Sequence, residues 1–155
     1  MKARTAALTL AAVCFLGAQV AFAQSPFMGT WKLNEAKSKL GPGAPKNTTV
    51  TYEASGDDMK VTVEGTDSMG NSTHTEWTGK FDGKEYPVTG SSSADMRSYH
   101  RIGTHTLSFT ESKAGKITTT GRIAVSSDGK TRTVTATETD PKGKKIHIMS
   151  FYDKQ

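Results

Sequence analysis

The chain has 155 residues, 34% hydrophobic, 8% aromatic and 23% charged, and carries a formal net charge of +5. That length suits one domain, and the charge is too mild to argue for a nucleic-acid partner. The single cysteine, Cys14, falls in an N-terminal stretch that reads as a removable signal. The remainder is therefore expected to hold no disulfide, thiol nucleophile or cysteine-based metal site.

Residues 1–23 have the pattern of a secretory signal. Lys2 and Arg4 form a basic start, Ala6 to Val20 is largely apolar, and Ala21-Phe22-Ala23 is the small-x-small pattern cut by a signal peptidase. The apolar run is shorter than the ~20 residues a membrane span needs. Cleavage before Gln24 leaves 24–155 as one domain of net charge about +3, exported to the periplasm or secreted, with no membrane span.

The first strand of that domain is read at 28–33, inside Phe27-Met28-Gly29-Thr30-Trp31-Lys32-Leu33. Asn34 is placed to cap a turn or two of helix, which Gly41-Pro42-Gly43-Ala44-Pro45 stops. Strand signals then continue at 47–54, 59–66, 72–79, 84–88, 96–102, 104–111, 116–125, 130–139 and 144–152. The turns between them carry glycine, as in Ser55-Gly56-Asp57-Asp58, Ser68-Met69-Gly70-Asn71, Asp82-Gly83 and Ser127-Asp128-Gly129.

Register follows from the apolar alternation. A four-residue loop at 55–58 pairs Ala54 with Met59, Tyr52 with Val61 and Val50 with Val63, all on one face. In the next clear hairpin, a two- or four-residue loop sets His100 opposite His105 and Met96 opposite Phe109, which puts Met96, Ile102, Leu107, Phe109 and both histidines on one face; this register is preferred to a three-residue loop, which Gly103 could favour and which would break the split. Pairing Val125 with Lys130 puts Ile117, Ile123, Arg132, Val134 and Ala136 together. The last strand is open: Ile146, Ile148 and Tyr152 point one way, and His147, Met149 and Phe151 the other. So many short antiparallel strands do not remain a flat sheet with bare edges. The expected fold is all-β, a single antiparallel up-and-down barrel of eight to ten strands with at most one short helix after the first.

Gly29-Thr30-Trp31-Lys32-Leu33 resembles the opening strand of the calycins, the lipocalins and fatty-acid-binding proteins. Thr48-Thr49 through Glu53 to Gly56-Asp57 and the closing Phe151-Tyr152-Asp153-Lys154 are similar to stretches of fatty-acid-binding proteins. The resemblance implies a structural role for Gly29 and for Trp31, packed across the closed end of the barrel under an arginine from near the C-terminus. No arginine occurs in 144–155. It also implies a carboxylate held by lumen arginines and a tyrosine. Tyr152 matches that tyrosine, Ser150 stands where one arginine is expected, and Thr119-Thr120-Gly121-Arg122 nominates Arg122. The register argument nominates Arg132 instead, and both are carried.

The expected function is a monomeric, non-enzymatic barrel binding a small apolar or amphipathic ligand, lipid- or fatty-acid-like. Tyr52, Val61, Val63, Met96, Leu107 and Phe109 would supply apolar contacts, and His100, Arg122, Arg132 and Tyr152 polar ones. No cofactor or metal is implied, because two histidines alone do not make a metal site. The alternatives are a packed β domain that binds a macromolecule, and a small enzyme using His100, His105 or His147 as base.

Overall fold

A computed structural model describes residues 25–41, 44–139 and 143–155. The expected signal, residues 1–23, lies outside the described residues. Ten strands follow one another: β1 (Gly29–Leu33), β2 (Lys46–Ser55), β3 (Asp58–Thr66), β4 (Ser72–Gly79), β5 (Asp82–Thr89), β6 (Met96–Gly103), β7 (Thr106–Lys113), β8 (Lys116–Val125), β9 (Thr131–Thr139) and β10 (Lys145–Lys154). All pair antiparallel with their chain neighbours. β1 also pairs with β10, matching Trp31 to Lys154 and Leu33 to Tyr152, so the barrel closes. Closure removes the edges that an open sheet of this size would leave bare. Among the described residues the one helical element is a 3-10 turn, Glu35–Lys37, whose Lys37 amide donates to the Asn34 side chain at 3.2 Å.

The β2–β3 hairpin pairs Val50, Tyr52 and Ala54 with Val63, Val61 and Met59, as the alternation predicts. Ala54 is exposed beside the turn, although its partner Met59 is buried in the core. The β4–β5 turn departs from expectation. Lys80 and Phe81 make the connection, and Gly83 (φ +84°) sits instead in a bulge of β5. Phe81 thereby turns inward.

The β6–β7 pairing is the main correction. Tyr99 lies opposite Phe109, Arg97 opposite Glu111 and His100 opposite Ser108, and a bulge at Ile102 takes up the extra residue before the turn. The ladder is displaced by an odd number of residues, so every β6 side chain changes face. Arg97 and Tyr99 enter the barrel. Met96 and His100 leave it, and Ile102 is exposed. In β8–β9 the displacement is even: Val125 pairs with Arg132 and Ile123 with Val134, so the expected face survives. Ile117 is the exception, because a bulge at Thr118, opposite Glu111 and Ser112, turns it outward, whereas Thr119 stays in step with Ile123 and is buried. On β10, Ile148, Ser150 and Tyr152 lie across from Ala136, Val134 and Arg132.

The hairpin ends 55–58, 79–82, 103–106 and 125–131 share one end of the barrel. This end is packed shut. Phe27 lies across it fully buried, its carbonyl accepting from Trp31 Nε1 at 2.8 Å. Phe81 meets Phe27, Tyr52 and Tyr99 edge-on and stacks on Trp77 at 6.3 Å. Arg101 covers the Phe27 and Phe81 rings from outside. Glycine makes the layers fit. A Cβ on Gly79 would lie 2.5 Å from the Tyr86 ring, and one on Gly121 would collide with Phe109, so each aromatic occupies the space its neighbour vacates.

On the outer wall His74 Nδ1 sits 2.6 Å from Glu64, with Glu76 at 3.6 Å from Nε2. Glu64 holds the His74 pKa above its ordinary value. A raised folded-state pKa stabilises fully below the unfolded value near 6.5, and the gain is lost as pH rises through the folded value. The thermal midpoint of the native chain is therefore expected to fall, relative to His74→Gln, as pH rises from about 6 to 8. Parallel pH profiles would show that the contact contributes nothing.

Candidate functional site

β9 places Arg132 inside the barrel, 2% exposed. Its guanidinium lies 4.3 Å from the Tyr152 ring, 5.4 Å from Tyr52 and 5.4 Å from Trp31. Lys154 takes a second position over Trp31, at 5.1 Å. The arginine that 144–155 lacks is thus supplied from β9. The rings stabilise the cation without accepting its hydrogens, and Nε and Nη1 have no hydrogen-bond partner. A buried donor left unsatisfied costs about 1–3 kcal/mol, so any group offering acceptors there is favoured.

Beside Arg132 lies a cavity of about 70 Å³. Val50, Tyr52, Val63, Phe109 and Tyr152 form its walls with Arg132, and Asn47, Arg97 and Glu111 lie toward the end of the barrel away from the aromatic plug. The volume is about two waters' share of liquid, well below the ~300–1,000 Å³ of drug-sized sites. Burial raises the Tyr152 phenol above its ordinary pKa, although Arg132 pulls the other way. Tyr152 therefore keeps its proton at neutral pH and is a hydrogen-bond donor.

A second polar group faces the same space. Arg97 Nε donates to Glu111 Oε1 at 2.8 Å, Nη2 reaches the same oxygen, and Nη1 approaches the Tyr99 hydroxyl at 3.3 Å. Trp77 Nε1 fixes the strand beneath by donating to the Arg97 carbonyl at 2.9 Å. Glu138 is half-buried nearby, and burial, then the Glu111 charge, raise its pKa. A raised carboxyl pKa weakens folding as pH climbs through the titration range. Glu138→Gln is therefore expected to raise the thermal midpoint at pH 7, with the advantage vanishing in acid, below the unfolded pKa. An equal gain at both pH values would show that charge is not the cause.

Of the residues expected to form a site, Tyr52, Val63, Phe109, Arg132 and Tyr152 come together around the cavity. Val61 and Leu107 are fully buried in the core, away from it. Met96 and His100 are displaced by the β6 register. Arg122 projects from the opposite face of its strand to Ile123 and is exposed. His105 lies beside the β6–β7 turn, apart from His100. Arg97, Tyr99 and Glu111 were missed, although Leu107-x-Phe109-x-Glu111 already showed an inward glutamate that needed a partner. Among the described residues no group of three His, Cys, Asp or Glu could hold a metal ion, and no helix is long and apolar enough to cross a membrane.

No protein-family model matches the chain, and no curated protein matches it. Among solved structures it is similar to one described as EF1p2_mFAP2b bound to DFHBI, with 13% identity and a TM-score of 0.49, over 84% of this chain and 94% of that one. At that level nothing about function transfers.

Proposed function

We propose that the chain is an exported, non-enzymatic calycin-type barrel that binds a small, partly apolar acid in its lumen. The observation that carries this reading is the buried Arg132, with two free donors beside a walled cavity. A carboxylate there would accept from Arg132 and from the Tyr152 hydroxyl, with its apolar body against Val50, Val63 and Phe109. The ligand is lipid- or fatty-acid-like in being an acidic head on an apolar body, but the volume suits a short body. Calorimetry with straight-chain acids from acetate to octanoate tests this. Short acids are expected to bind, with at least a tenfold loss of affinity in Arg132→Gln and an unchanged far-UV circular dichroism spectrum. Failure of every acid, or equal binding by the variant, would overturn it. Export is tested by the mass of the protein recovered from its host, expected to begin at Gln24.

The aromatic packing of the plugged end favours a second reading, a filled β domain that acts through its surface. Native mass spectrometry separates the two, because a host-purified chain that never carries a small molecule supports the filled domain.

A further inference from the structure

We propose that the outer face of β8–β10 is a separate binding site for a small phosphorylated sugar. An open groove of about 560 Å³ runs across this face. Thr120 and Arg122 on β8 lie opposite Thr137 and Thr135 on β9, which lie opposite His147 and Met149 on β10. Lys39 extends the row by bridging to Met149. The groove thus gathers three basic side chains and three threonine hydroxyls, with no carboxylate in its lining.

The charge imbalance is built into the strands. β7–β10 carry three acids. Glu111 pairs with Arg97, Glu138 lies on the same side of β9 as Arg132, and Asp153 accepts from Asn34 Nδ2 at 2.8 Å. None of the three lines the groove. The Arg122 guanidinium and the Lys39 ammonium make no hydrogen bond or ion pair among the described residues, and Thr137 Oγ1 holds His147 Nδ1 at 3.0 Å, leaving Nε2 without a partner.

A phosphate monoester brings a charge of about −1.5 to −2 and three acceptor oxygens, which suits a guanidinium, an ammonium and an imidazole on neighbouring rows. The groove is several times larger than one phosphate requires. Threonine hydroxyls both donate and accept, so Thr120, Thr135 and Thr137 suit the hydroxyls of a sugar carrying that phosphate.

The test is an amide chemical-shift titration of the labelled chain with glucose 6-phosphate, glucose and inorganic phosphate. Saturable shifts are expected at 120–122, 135–137 and 147–149 with glucose 6-phosphate. Phosphate should bind at least tenfold more weakly, and glucose should give no response. Arg122→Gln combined with His147→Gln should lower affinity at least tenfold with unchanged tryptophan fluorescence, and Arg132→Gln should leave it unaltered. Absence of shifts, shifts centred on Arg132 and Tyr152, or phosphate binding as tightly as the sugar phosphate would each overturn the proposal. Because the two sites are read by different variants, failure here is distinguishable from failure of the lumen site.

Discussion

Arg132→Met is expected to raise the thermal midpoint of the ligand-free chain by about 3–6 °C while abolishing acid binding. The sign follows from what each side chain needs. Arg132 is buried as a cation with two nitrogens unsatisfied. Replacing buried charge by an apolar group of similar shape is often stabilising by about 1–4 kcal/mol. The opposing loss is the ring–cation attraction, worth about 0.5–2 kcal/mol and carried mainly by Tyr152 at 4.3 Å, with Trp31 and Tyr52 both farther at 5.4 Å. Methionine recovers much of that, because its sulfur also favours aromatic edges by about 0.3–1.5 kcal/mol. A net gain of about 1–2 kcal/mol remains. Thermal melts with and without a short acid check both halves. The acid should stabilise the native chain and leave the variant unmoved. A midpoint that falls by several degrees in the variant would show that Arg132 is there to hold Trp31, and an acid that stabilises the variant as much as the native chain would show that the lumen is not an anion site.

How much was legible from the residues depended on whether a strand contained a bulge. Where alternation was strict, as in Val50–Ala54 against Met59–Val63, pattern and pairing agree residue by residue. The β6–β7 hairpin defeats the same reasoning, because Ile102 is extruded beside Gly103 and one extra residue inverts the strand. The apolar pattern was no guide there. The inverted β6 carries Arg97 and Tyr99 inward, and a buried arginine is invisible to a search for hydrophobic faces. Arg132 was legible because Ile123, Val134 and Ala136 bracket it and the register error in that hairpin was even. Motif similarity pointed to Arg122, which the strand's parity places outside. Phe81 was hidden because Asp82-Gly83 looks like a turn, and in the structure that glycine serves a bulge instead.

The second large effect is expected at Glu111. Glu111→Ala should destabilise the barrel by about 3–5 kcal/mol, because it leaves the Arg97 guanidinium buried without its counter-charge. The Tyr99 hydroxyl at 3.3 Å is a neutral and long substitute. Arg97 has no easy escape, since its own carbonyl is held by Trp77 and its strand is locked against Phe109 and Glu111 through β7. The double variant Arg97→Met with Glu111→Leu removes both charges and should regain most of the loss. Urea unfolding of the native chain, Arg97→Met, Glu111→Leu and the double variant then gives a coupling of at least about 2 kcal/mol between the two sites. Independent, additive losses would mean that the pair is already well solvated, in which case the cavity is open to water at the Glu111 side. The same four chains bear on ligand binding. If Arg132 alone anchors the acid, the double variant should still bind it, because the Arg97–Glu111 pair is internally neutral and contributes no net attraction to an anion.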